Sequence, residues 1–210
     1  MKPSVQKGAL RIILGGGIGS GKSLVAELLD AAGAAVISAD GVGHGVLEPG
    51  GPAFADVATR WPSVVVGGSI DRSRLADIVF DDPDELAALE ALTHPAIIET
   101  ILDRVAAIDR PVVVEVPLIL GLGDGWCRVF VDAGEKLRIE RAVARGGEEA
   151  DIRRRVAVQP EREAWLGWAD EVMVNEGTVE ELSARVNALW DRLGDEHEVP
   201  NAKYPERRAP

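Results

Sequence analysis

Cysteine is almost missing from this chain of 210 residues: Cys127 is the only one, so no disulfide can form within the chain. It stands in the apolar run Trp126-Cys127-Arg128-Val129-Phe130-Val131 and reads as a core filler. No apolar run is long enough to cross a bilayer, and the N-terminus carries no signal-peptide pattern. The expectation is therefore a cytoplasmic, reducing location. Histidine is scarce too, and no His/Cys cluster has metal-ligand spacing. Positive charge is in short supply: 23 Lys and Arg face 35 Asp and Glu, a net charge of −12. That balance argues against nucleic acid as a partner. It does not exclude a small polyanion, because charges are screened over about 8 Å at physiological salt. The few cations lining a site decide.

What is present is an ordinary core. Hydrophobic residues make up 46% and charged residues 28%, close to a typical globular protein of one domain. The most informative stretch is Leu14-Gly15-Gly16-Gly17-Ile18-Gly19-Ser20-Gly21-Lys22-Ser23, in which Gly16 to Ser23 fit G-x-x-x-x-G-K-[ST]. Glycines let main-chain N–H groups curl around a polyphosphate where a Cβ would obstruct. Lys22 can reach the β- and γ-phosphates, and the Ser23 hydroxyl can hold Mg²⁺. The flanks suit the motif. Ala9 to Leu14 reads as a buried parallel strand, while Leu24, Val25, Leu28 and Leu29 recur at helical spacing until Gly33.

Further strands are predicted at Ala34 to Ser38, Val112 to Val116, Arg128 to Val131 and Glu171 to Val174, with helices between and a last helix from Val179 to Leu193. Such alternation predicts an α/β fold with a parallel sheet covered on both faces. Residues 41–110 hold helices and no long strand. Within them Asp82-Pro83 and His94-Pro95 each read as a helix start, with Pro at an early helical position. Residues 137–165 form an arginine-rich helical segment.

Several side chains in this frame suit phosphoryl chemistry. Asp40 follows the second strand, where ligands of open parallel sheets sit. It can accept a proton from an attacking hydroxyl, or cap a helix starting at Gly41, and the two roles are compatible. Glu115, near the end of an apolar strand, needs a cation or a hydrogen-bonded partner. It reads either as a water-mediated Mg²⁺ contact or as a structural pair with a nearby Arg or main-chain N–H. Arg138, Arg141 and Arg145, spaced by three and four, share a helix face. Gln159 lies four after Arg155 on one face, before Pro160 breaks the helix. Arginines on a mobile segment suit a lid over transferring phosphates, or pair with Glu140, Glu148, Glu149 and Asp151. His94 reads as a helix cap or substrate contact, and His44 as a surface residue or substrate neighbour. Trp165 and Trp168 read as packing of the segment's base onto the core.

The chain resembles the dephospho-CoA kinase family from about Arg11 to Leu193. The pieces that carry the likeness are the glycine loop, Val36-Ile37-Ser38-Ala39-Asp40, Leu47-Glu48-Pro49-Gly50, Thr93-His94-Pro95, Val116-Pro117-Leu118, Arg141 with Arg145, Arg155-Val156-Ala157-Val158-Gln159, and Asn175-Glu176-Gly177. The resemblance implies a P-loop kinase: a five-stranded parallel sheet with helices on both faces, a helical acceptor-binding insertion over 41–110 and an arginine-rich lid over 137–165. It implies one domain over 1–195 with a flexible tail over 196–210. It implies ATP and Mg²⁺ as cofactors and dephospho-CoA as acceptor, in a protein expected to be monomeric. It assigns Asp40, Lys22 and Arg141 to catalysis. Nucleotide binding falls to Gly17, Ile18, Gly19, Ser20, Gly21, Lys22, Ser23, Leu24, Arg145 and Asn175. Acceptor binding falls to Asp40, His44, His94, Arg155 and Gln159, and the metal to Ser23 and, through water, Glu115. Two other readings stand beside it. One is a kinase of another small hydroxyl acceptor, such as a nucleoside, nucleotide or sugar acid. The other is a nucleotide-binding relative without turnover. An assay across acceptors separates them.

Overall fold

The structure is a computed structural model, and it describes residues 10–196. The chain divides into two compact units, residues 10–37 with 108–196, and residues 38–107.

The first unit is built on a five-stranded parallel sheet. Its strands are β1 (Arg11–Gly15), β2 (Ala35–Ser38), β5 (Val112–Val116), β6 (Cys127–Asp132) and β7 (Glu171–Val174), in the order β2-β5-β1-β6-β7. β1 lies at the centre, with Leu14 level with Glu115 on one side and Val129 on the other. Leu10, Ile12, Ile13 and Leu14 are all buried, as a strand covered on both faces requires. Alternation sends Ile12 and Leu14 into a core with Val25, Leu29, Val186 and Leu189 of helices α1 (Lys22–Ala31) and α9 (Val179–Glu196). On the opposite face, Gly15 meets Trp165 and Trp168 of α8 (Arg162–Trp168). Helices thus cover both faces, as expected. α6 (Glu135–Ala144) and α7 (Glu149–Ala157) complete the arginine-rich segment.

All five expected strands are present, with ends shifted by a residue or so. α1 stops where expected, at Gly33 with φ of 107°. α9 runs three residues beyond Leu193, to Glu196. The rest of the expected tail, and Ala9 of the expected first strand, lie outside the described residues. α7 ends at Ala157, so Gln159 sits in the following loop rather than on a shared helix face with Arg155. The chain leaves the helix at Val158, ahead of the break that Pro160 imposes.

The second unit is helical, with α2 (Ala39–Val46), α3 (Phe54–Arg60), α4 (Arg72–Asp81) and α5 (Pro83–Ala106). A 3-10 turn at Pro62–Val64 leads to a hairpin of β3 (Val65–Val66) and β4 (Ser69–Ile70). Gly67 and Gly68, with φ of 60° and 84°, turn it, because that tight reversal needs two left-handed residues. Val57, Trp61, Val64, Leu75 and Val79 form its core, with Leu86, Leu89 and Leu92 packed against it. Asp82 caps α5 by accepting from the Asp84 amide at 2.9 Å, and Pro83 takes the first helical position, as expected. The expected second start at His94-Pro95 is corrected: α5 runs unbroken through Pro95. Apolar burial on both sides of the proline, at Leu92 and then Ile101 and Val105, outweighs the one main-chain hydrogen bond it removes.

Candidate active site

The glycine loop spans the gap between β1 and α1. Gly16, Gly19 and Gly21 hold φ of 152°, 77° and 94°, which L side chains rarely adopt. The Ser20 amide donates to the Gly17 carbonyl at 3.1 Å, and the Val25 amide to the Gly21 carbonyl at 3.1 Å. α1 begins at Lys22 with no side-chain cap, so its first amides lack intrahelical partners and point at the loop's concavity. The Ser20 hydroxyl is buried and has no hydrogen-bond partner among the described residues.

Lys22 and Ser23 converge on Glu115. Lys22 Nζ lies 2.8 Å from Glu115 Oε1, and the Ser23 hydroxyl donates to the same oxygen at 3.0 Å. Both ends of the ion pair are largely buried, at 14% and 16% exposure. The register explains the meeting: Glu115 pairs with Leu14, two residues before the loop opens. Glu115 does have a structural partner, but it is the loop lysine rather than the expected arginine or main-chain N–H. The same carboxylate beside the Ser23 hydroxyl is a hard-oxygen donor set, the kind Mg²⁺ takes.

Asn175 braces the loop from the end of β7. Its Nδ2 donates to the Ser20 carbonyl at 2.7 Å in a buried position, and its amide donates to the Asp132 carbonyl at 2.7 Å. A Cβ on Gly21 would overlap that Nδ2. Arg141 donates from Nη1 to the Asn175 carbonyl at 2.9 Å. Arg138 donates to the Ile18 carbonyl at 3.0 Å and to Gln159 Oε1 at 3.1 Å, and that oxygen also accepts from the Ile18 amide at 2.9 Å. Burial holds the Arg138 guanidinium below its ordinary value, with the Glu135 and Asp132 charges pulling the other way. The expected arginine set thus separates. Arg138 and Arg141 reach the loop and its brace, whereas Arg145 ends α6 in an exposed position. Arg153 and Arg154 pair with Glu149 and Asp151 on their own helix, as the acid-paired reading of the segment expects. Neither the Arg145 nor the Arg155 side chain has a hydrogen bond or ion pair among the described residues.

In the second unit, Asp40 is exposed in the first turn of α2 and makes no side-chain hydrogen bond or ion pair among the described residues. The capping alternative is corrected: Ser38 is the cap, accepting from the Gly41 amide at 3.3 Å, and α2 starts two residues earlier than expected. His44 lies four residues on, also exposed. His94 is half-buried within α5, so it caps no helix start.

Sequence reasoning missed the buried Asp132, which Arg162 grips from α8 at 2.7 Å. That hydrogen bond raises the Arg162 guanidinium above its ordinary value. It also missed Arg138 as a partner of the loop, although its spacing was noticed.

A family model described as dephospho-CoA kinase matches residues 10–181. The dephospho-CoA kinase of Thermobifida fusca is 41% identical over 192 residues, spanning 88% of this chain and 96% of that protein. A crystal structure from Thermus thermophilus is similar with a TM-score of 0.74 at 30% identity, spanning 89% of this chain and 99% of that one. The dephospho-CoA kinase from Campylobacter jejuni shares the fold, with a TM-score of 0.67 at 22% identity over 89% of this chain and 98% of that one. A central parallel strand, a glycine loop closed by lysine and serine, and a helix aimed at the loop define a P-loop protein, and the family match makes it a P-loop kinase. Within that class the chain belongs to the dephospho-CoA kinase family.

Proposed function

We propose that this chain transfers the γ-phosphoryl group of ATP to the ribose 3′-hydroxyl of dephospho-CoA, as a cytoplasmic monomer using Mg²⁺. The observation that carries the reading is the convergence of Lys22 and Ser23 on Glu115 at the mouth of the loop. An ammonium, a hydroxyl and a carboxylate gathered at a glycine loop of this sequence pattern support phosphate and metal binding there, in a chain of this family.

The acceptor oxygen attacks the γ-phosphorus in line, a new O–P bond forms, and the bond to the β-phosphate oxygen breaks to release ADP. Asp40 takes the hydroxyl proton. Support for that role is that its side chain has no hydrogen bond or ion pair among the described residues, and that it directly follows a parallel strand. Loop amides between Gly17 and Leu24, other than the Ile18 amide that donates to Gln159, hold the phosphates together with Lys22, and Lys22 exchanges Glu115 for them. Ser23 would hold Mg²⁺ directly and Glu115 through water, and the ion would supply charge neutralisation for the phosphates. Arg141 and Arg145 add positive charge to the transferring group. His44, His94, Arg155 and Gln159 serve the acceptor, whose insertion is 41–110, with 137–165 as the lid of a single domain over 1–195.

The test is purified protein with ATP, Mg²⁺ and dephospho-CoA, followed by mass for CoA. Product that requires both ATP and Mg²⁺ is expected. Turnover on another hydroxyl acceptor alone, or nucleotide binding without turnover on any, overturns the reading.

A further inference from the structure

The crown of the glycine loop is held from outside by two side chains that grip its main-chain atoms. Ile18 sits between two peptide planes. In the Gly17–Ile18 plane, the carbonyl accepts from the Ser20 amide at 3.1 Å and the N–H donates to Gln159 Oε1 at 2.9 Å. In the Ile18–Gly19 plane, the carbonyl accepts from Arg138 Nε at 3.0 Å. The N–H of that second plane belongs to Gly19, and it donates to no acceptor among the described residues.

A trans peptide points its C=O and N–H in opposite directions. Fixing the Ile18 carbonyl on Arg138 therefore turns the Gly19 N–H away from α6. A residue with φ of 77°, as at Gly19, would otherwise swing easily, since glycine has little barrier between backbone states. The approach is close. A Cβ at Gly17 would overlap the Arg138 guanidinium, and one at Gly19 would overlap the Arg138 carbonyl. Arg138 is also tied to Gln159 at 3.1 Å, so one guanidinium holds both planes at once. Lysine, with a single ammonium point, cannot reproduce that fork.

We infer that Arg138, acting with Gln159, is a positioning residue that sets the Ile18–Gly19 peptide so that the Gly19 amide faces the phosphates of the nucleotide. The inference rests on the nucleotide-binding reading above. Arg138 touches no reacting atom in this arrangement. Its guanidinium is committed to the loop, and the Ile18 amide, committed to Gln159, is turned from the phosphates.

The experiment is a titration of the ¹⁵N-labelled full chain with Mg²⁺ and ADP, comparing the wild type with Arg138→Met and Arg138→Lys. In the wild type the amide protons of Gly19, Lys22 and Ser23 move downfield together on binding. In Arg138→Met the Gly19 movement is largely lost, while Lys22 and Ser23 keep theirs because α1 sets them. ADP affinity falls about tenfold, the scale of one charge-assisted hydrogen bond. Adenosine, which has no phosphate, binds the variant as it binds the wild type. Arg138→Lys falls between, and decides the matter if the methionine variant does not fold. A full Gly19 shift with wild-type ADP affinity in whichever variant folds overturns the inference. So does equal loss of all three shifts with loss of adenosine binding, which marks general damage. A wild type that binds no ADP overturns the functional reading itself.

Discussion

Replacing Asn175 by alanine removes one defined contact. The variant keeps the main-chain amide that donates to Asp132 and the carbonyl that accepts from Arg141. It loses the donation from Nδ2 to the Ser20 carbonyl, 2.7 Å long and buried. A buried carbonyl left without its donor costs about 1–3 kcal/mol. Taking about 2 kcal/mol, and about 2–4 °C per kcal/mol for a chain of this size, the melting temperature should fall by about 4–8 °C. Asn175→Asp should be worse despite its matching shape, because it aims a carboxylate at that same carbonyl and supplies no N–H. Thermal unfolding followed by circular dichroism, in all three proteins at one pH, measures both steps. The order wild type, alanine, aspartate is required. Equal melting temperatures for wild type and alanine would show that Ser20 draws nothing from this side chain, and the bracing argument would be wrong.

Asp40→Asn should lower kcat by at least about 100-fold with the melting curve unchanged, the scale of a lost general base; near-full turnover removes Asp40 from that role. Lys22→Met should cut kcat/KM for ATP by orders of magnitude and leave Glu115 without its cation, and an unchanged kcat/KM refutes the assignment. Gly19→Ala should abolish ADP binding by calorimetry, since its Cβ would meet the Arg138 carbonyl at a φ of 77°; normal binding would show the loop is softer than described. Hydrogen bonding to Arg128 holds the Asp170 carboxyl below its ordinary 3.8, with the Arg128 amide and charge adding to it. The carboxylate is favoured in the folded state, so its contribution is present above about pH 4 and fades as pH falls through the lower folded value. The stability gap between wild type and Asp170→Asn in urea should therefore be flat above about pH 4 and narrow below it; a gap that widens on acidification contradicts the sign.

The sheet was legible because parallel strands covered on both faces are short apolar runs with turn residues at their ends. Val112 to Val116 and Glu171 to Val174 show this, and both have the expected bounds. Helix starts were legible where a cap and a proline coincide, as at Asp82-Pro83. The same rule misled at His94-Pro95, because it is local and cannot weigh the burial that carries α5 through the proline. Val65-Val66-Gly67-Gly68-Ser69-Ile70 held a hairpin signal in its glycine pair that went unread. The loop's position between strand and helix was plain from spacing. Its supports were not, since Arg138 lies 120 positions from Ile18 and Asn175 lies 155 from Ser20. Only the sheet order brings such pairs together. Family likeness pointed to Asn175 and Gln159 as residues that matter, but not to the atoms they hold.

The aromatic plate behind the loop has a practical use. Trp165 stacks on Phe130 at 5.6 Å between ring centres, Trp168 meets it edge-on at 5.2 Å, and both indoles abut Gly15, where β1 gives way to the loop. Indole emission responds to small changes in local polarity and quenching, so the protein carries an optical gauge seated against the site it would report. Trp165→Phe and Trp168→Phe would isolate that signal from Trp61, Trp126 and Trp190, and stopped-flow mixing could then time the loop's response to nucleotide without attaching a dye.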